Sequence, residues 1–165
     1  YLSNPTASVI GCAIVENCSE QVVGNFLNEI NSNLSTLLNN KDLSELINSL
    51  LIRGQKDIRD LLFNNFYPQL DAFIANPWKW KICSTLLKTL SLDQKVQVAE
   101  KVCQNCSVVR EKYMDDLIFE SLQVVSSHIR VNSLVSLLNP ILENPEFPRS
   151  QDFLKNLKYA DSVIA

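Results

Sequence analysis

The sequence predicts an all-α solenoid of stacked repeats, and three observations carry that prediction. The chain repeats itself every 36 residues, four times. Ile10, Leu46, Ile82 and Ile118 keep that step, as do Ile14, Leu50, Leu86 and Leu122, then Phe26, Leu62, Val98 and Leu134, then Ile30, Phe66, Val102 and Leu138. A small side chain recurs at Ala13, Ser49, Thr85 and Ser121. Within each unit the apolar residues recur at helical spacing. Only three Gly occur, and no β-branched alternating run suggests strands.

Each unit reads as two principal helices and a short one. In the first, Asn4 stands as N-cap with Pro5 at the first helical position, where a missing N–H costs nothing. That helix is expected to reach about Asn17 and to bury Ile10 and Ile14, one turn apart. Ser19 is placed to cap the second helix, with Val22, Val23, Phe26, Leu27 and Ile30 inward; Ser35–Leu38 reads as the short connector helix.

The second unit repeats this with Asn40 as cap, Leu43, Leu46, Ile47, Leu50 and Leu51 inward, and a turn at Arg53-Gly54. Its next helix buries Ile58, Leu61, Leu62 and Phe66. In the third, Asn76-Pro77 precedes Ile82, Leu86 and Leu87, and Ser91-Leu-Asp-Gln94 is a capping-box pattern. The fourth keeps the register through Ile118, Leu122, Val125, Val131, Leu134, Val135 and Leu138, with Lys112 in the Asn position. After Pro140 the period stops, and Ser150 is placed to cap a final helix through Tyr159, closing the last exposed core. The expected units are 1–36, 37–72, 73–108 and 109–143, with a capping segment over 144–165.

Charge is unevenly spread. The net charge is −3, yet residues 79–112 hold seven Lys/Arg against three Asp/Glu, while residues 1–78 hold four against eight. Residues 113–165 hold four against seven, so the third unit is a basic island between acidic flanks. Five Cys form no disulfide-framework spacing and read as reduced, partly buried thiols. Cys103-Gln-Asn-Cys106 is a lone CxxC, and with His128 as the only His we expect no metal and no cofactor. No apolar run has the length of about 18 residues that a membrane span needs, so no membrane role is expected. The chain opens at Tyr1 inside a repeat, and we expect it to belong to a longer protein.

A three-helix unit of 36 residues resembles the Pumilio (PUF) repeat, clearest at Ser8-Val-Ile-Gly-Cys-Ala-Ile-Val-Glu-Asn-Cys18 and across NPWKWKICSTLLKTLSLDQKVQVAEKV, residues 76–102. The resemblance covers about residues 4–143 and implies a right-handed α-α superhelix. In that family the central helix of each unit lines the concave face and reads one base of single-stranded RNA. Two polar side chains four apart reach a base edge, and the residue after the first stacks. Carried over, the reading sets are Ser8, Val9 and Cys12; Ser44, Glu45 and Asn48; Trp80, Lys81 and Ser84; and Asp116, Leu117 and Glu120. Trp80 offers a stacking surface, Lys79 and Lys81 are expected to meet phosphates, and Glu120 suits a guanine edge. No unit carries the family's usual Asn/Gln or Ser/Glu edge pair with an aromatic or Arg stacker.

The resemblance implies binding of mRNA 3′ untranslated regions, post-transcriptional regulation and a cytoplasmic site. The net negative charge keeps two other readings open: a scaffold for protein contacts or homodimerisation through apolar residues of the C-terminal repeats, or a nucleolar ribosome-assembly protein. An enzyme is not expected: no phosphate-binding Gly loop, nucleophile motif or catalytic carboxylate pair is present, and Asp115-Asp116 reads as solvated helix surface.

Overall fold

The computed structural model describes residues 5–33, 44–77, 79–108, 111–126 and 135–164, and every regular element among them is helical. The chain divides into two compact units, Tyr1–Phe66 and Tyr67–Ala165, a division that falls inside the second of the four sequence repeats. Among the described residues no helix is long and apolar enough to cross a membrane.

The first unit holds α1 (Pro5–Asn17), α2 (Glu20–Ser32), α3 (Ser44–Arg53) and α4 (Lys56–Phe66). Pro5 opens α1 as the sequence requires, while Asn4, Asn40 and the Ser35–Leu38 connector lie outside the described residues. Helices α1 and α3 pack side by side. Gly11 permits that approach, since a Cβ there would sit 2.9 Å from Leu46 Cδ1 and 3.1 Å from Phe26 Cζ. Leu46, Ile47, Leu50 and Leu51 are buried together with Val23, Leu27, Ile30, Leu62 and Phe66. Each such side chain contributes about 1.5–3 kcal/mol by leaving water.

Two expected core residues of this unit are exposed, and Ile14, Phe26, Ile58 and Leu61 are only half-buried. Ile10 is 56% exposed and Val22 46% exposed, although Leu46, Ile82 and Ile118, the equivalents of Ile10, are at most 1% exposed. Helix α1 buries the side that faces α3, and Ile10 projects from a side that no helix covers among the described residues. The Arg53-Gly54 turn is tight. Gly54 N–H donates to the Leu50 carbonyl at 2.8 Å, and a Cβ on Gly54 would run into that carbonyl and into Ile58 Cγ2.

The second unit begins with a 3-10 turn (Tyr67–Gln69) and continues through α5 (Leu70–Ile74), α6 (Trp80–Thr89), α7 (Leu92–Gln104), a 3-10 turn (Asn105–Ser107), α8 (Lys112–Ser126), α9 (Val135–Leu142) and α10 (Pro148–Ile164). Helices α6, α7 and α8 pack on one another, and α10 packs on α8 and α9. The register residues Ile82, Leu86, Val98, Val102, Ile118 and Leu122 are all buried. The Asn76 side chain accepts from Lys79 N–H at 3.3 Å, so Asn76 caps the turn before α6 rather than α6 itself. The capping box forms: Ser91 N–H and Oγ–H both donate to Gln94 Oε1, at 3.2 and 2.9 Å.

The C-terminal helix starts earlier than the sequence reading placed it, at Pro148, and runs to Ile164. Ser150 does not cap it. The cap comes from α8, where the Asp115 carboxylate accepts from Arg149 N–H and Ser150 N–H, each at 2.9 Å. Ser150 Oγ–H donates back to Asp115 Oδ1 at 2.7 Å. Asp115 is therefore buried, not solvated surface, because its charge satisfies the open N–H groups of α10. Asp116 holds Arg149 Nη1 at 2.7 Å, the Arg149 guanidinium lies 3.9 Å over the Phe119 ring, and Phe119 meets Phe153 edge-on at 5.4 Å.

Candidate nucleic-acid interface

Helical spacing puts Lys81, Ser84 and Lys88 on one stripe of α6, at intervals of three and four. Helix α8 lies alongside and presents Glu120 and Gln123 next to that stripe. Ser84 Oγ–H donates to Glu120 Oε2 at 2.6 Å, and Lys88 Nζ stands 3.4 Å from Glu120 Oε1. The structure thus joins two residues that the sequence reading assigned to different units. An open cleft of about 460 Å³ adjoins them, lined by Leu87, Lys88, Leu92, Lys95, Glu120 and Gln123, among others.

The electrostatics follow from these contacts. Glu120 is neutralised by Lys88 and bonded by Ser84, so its charge does not stand alone against an incoming phosphate. Lys81 is exposed at the open end of the stripe. Carboxylate lone pairs can still accept base N–H groups, and exposed ammonium groups can meet phosphates.

Trp80 is half-buried and stacks on Tyr113, ring centroids 5.7 Å apart at 16°. The Tyr113 hydroxyl donates to the Ile74 carbonyl at 3.1 Å, and burial pushes its phenol above the ordinary value. Sequence reasoning missed Tyr113, which lies 33 residues after Trp80 and so is off the 36-residue step.

Several expected residues are placed differently. Lys79 is buried at 7% exposure with Nζ 5.3 Å from the centre of the Phe73 ring, and burial pushes its ammonium below the ordinary 10.5. Lys79 is therefore turned into the fold, away from any phosphate. Lys101 of the basic island is likewise used internally, 4.8 Å over Tyr67 and 3.5 Å from Asp71. Leu117 is fully buried and Asp116 is tied to Arg149, so neither presents a base-reading group.

In the first unit, Val9 and Glu45 are exposed and Cys12 is half-buried. Asn48 is half-buried, with its Oδ1 buried and without a hydrogen-bond partner. The side chains of Ser8 and Ser44, and the whole of Trp78, lie outside the described residues.

The five thiols differ in burial, with Cys18 exposed and Cys12 half-buried. Cys83, Cys103 and Cys106 are buried, and desolvation pushes Cys83 and Cys103 up to about 12. Among the described residues no group of His, Cys, Asp and Glu is arranged to hold a metal ion. In α9 and α10, Leu138, Ile141 and Leu154 are buried within the unit, which removes them from the apolar surface expected to support self-association. The large exposed apolar residues are Val9, Ile10, Val22, Ile52, Leu92 and Val108.

No family model and no curated protein matches this chain. Among solved structures, the crystal structure of PUF-8 in complex with PBE-RNA superimposes with a TM-score of 0.74 at 14% sequence identity. The match covers 95% of this chain and 48% of that one, so the chain spans about half the length of its structural relative. At that identity the likeness speaks for the backbone architecture, and it agrees with the 36-residue period and the helical units built from it. The chain has the Pumilio-like repeat fold.

Proposed function

We propose that this chain is an RNA-binding helical-repeat domain that takes single-stranded RNA along the α6–α8 face. The observation that carries the reading is the fold it shares with a structure solved in complex with RNA. The Lys81, Ser84 and Lys88 stripe beside Glu120 supplies suitable chemistry: the exposed Lys81 ammonium for a phosphate, and the Glu120 carboxylate, held by Ser84 and offset by Lys88, for a base edge. Trp80, backed by Tyr113, adds a rigid aromatic surface. The domain works as a binding module and not as an enzyme. Its target class is mRNA, in 3′ untranslated regions, and its role is control of translation or decay in the cytoplasm.

Fluorescence anisotropy with short single-stranded RNAs tests this reading. Lys81→Glu/Lys88→Glu is expected to weaken binding at least about tenfold and to flatten its salt dependence. Unchanged affinity after that charge reversal means that the assigned face is wrong. A protein-binding scaffold is the second reading, favoured by the net charge of −3 and by the degenerate edge pairs.

A further inference from the structure

The three glycines of the chain have different surroundings. Gly11 is crowded by Leu46 and Phe26, and Gly54 by Leu50 and Ile58, so the fold itself excludes a side chain at both. Gly24 sits in the middle of α2, and a Cβ there would meet nothing within 4 Å. A mid-helix Gly costs about 0.5–1 kcal/mol relative to Ala. At Gly24 no internal contact offsets that cost. Gly24 lines an open cleft of about 420 Å³ between α2 and α4, into which a Cβ there would project without contact.

The floor of this cleft is apolar: Val23 and Leu27 from α2, Ile58 and Leu61 from α4. Glu20 and Asp57 stand at its edge, both exposed, and Gln55 Nε2 donates to Glu20 at 2.7 Å. Arg53 also lines the cleft, but Glu16 neutralises it at 2.7 Å. The edge is therefore acidic, in keeping with the excess of eight Asp/Glu over four Lys/Arg in residues 1–78. Such an edge disfavours a polyanion and complements a cationic ligand.

We propose that the α2–α4 cleft is a docking site for a basic peptide segment of a partner protein. One apolar side chain of that segment inserts beside Gly24, and its flanking Lys or Arg groups meet Glu20 and Asp57. The site shares no residue with the α6–α8 face, and the inference does not rest on the RNA reading.

The test uses a fluorescein-labelled Lys/Arg peptide with a central Leu pair, titrated by anisotropy against the full chain. Binding is expected to weaken at least about tenfold with Gly24→Leu and with Glu20→Lys/Asp57→Lys. It is expected to be lost when Ser replaces the Leu pair. Circular dichroism confirms that each variant remains helical; should Gly24→Leu not fold, Gly24→Ala, which favours the helix, takes its place and is expected to weaken binding in the same direction. The proposal is overturned if the peptide does not bind, if the Ser-substituted peptide binds equally, or if the cleft variants bind as wild type does. Displacement of the peptide by polyuridine RNA also overturns it, by giving the cleft to nucleic acid.

Discussion

Ser84 and Glu120 lie 36 residues apart in sequence and 2.6 Å apart in space. One full repeat separates them, so the period of the chain becomes a direct contact between neighbouring central helices. Lys88 completes the cluster from the same stripe as Ser84. A charge-assisted bond of this kind contributes about 1 kcal/mol when partly exposed. In a double-mutant cycle of Ser84→Ala and Glu120→Gln, urea denaturation is expected to give a coupling of about that size. Strictly additive effects would mean that the contact contributes nothing.

Removing the Asp115 carboxylate leaves the N–H groups of Arg149 and Ser150 without their acceptors at the start of α10. Asp115→Ala is expected to cost about 3 kcal/mol, combining a lost cap with buried unsatisfied donors. Ser150→Ala removes only the returning hydroxyl and is expected to cost about 1 kcal/mol. Hydrogen exchange reads the difference, with faster exchange of the α10 amides in Asp115→Ala.

Alkaline pH offers a separate check. In the folded chain Cys83 and Cys103 are pushed from 9.0 to about 12, so above pH 9 they keep protons that unfolded thiols release. Their stabilising contribution is complete below pH 9 and is lost as pH rises toward about 12. Each thiol lowers stability by about 1.4 kcal/mol per pH unit inside that window. Lys79 works in the opposite sense, because its lowered value favours the neutral amine of the fold as pH rises. Urea midpoints at pH 8 and pH 10 are expected to converge in Cys83→Ala/Cys103→Ala relative to wild type. An undiminished alkaline decline in that variant would assign the loss to other groups.

Lys79 and Lys81 are two residues apart and are expected to behave differently. Lys79→Met keeps the buried stem, removes a desolvated charge and is expected to leave RNA affinity within about twofold. Lys81→Met removes an exposed ammonium group of the proposed face and is expected to weaken RNA binding about threefold, with a shallower salt slope. Equal losses from the two would place Lys79 on the binding surface after all.

The scaffold was legible because the 36-residue step fixes which face each helix turns inward within its unit. Leu46, Ile82 and Ile118 follow it into the core. Ile10 does not, since periodicity states where a side chain points within a unit and not whether a helix lies beyond it. The candidate site was legible only in part. Ser84 and Glu120 are implied by the resemblance to the Pumilio repeat, but their bond to each other depends on helix–helix distance, which neither the resemblance nor the register carries. Charge misled at Lys79 and Asp115, two positions 36 apart and each 7% exposed. Both looked solvated in sequence; one lies over an aromatic ring and the other caps a helix brought from 34 residues away. Tyr113 escaped because its partner Trp80 is not one repeat away.

The position that Asp115 holds in the last repeat is filled by Lys79, Leu43 and Ala7 in the three before it. None of those residues can accept a hydrogen bond from the N–H groups that begin α10. The carboxylate therefore works as an address as well as a cap, since of these four equivalent positions it alone offers α10 a side-chain acceptor. Exchanging the third and fourth units would preserve the apolar register and still set a lysine, with no acceptor, where the first N–H groups of α10 need a carboxylate. The placement of α10 thus depends on one polar residue, set among apolar positions that carry no such distinction.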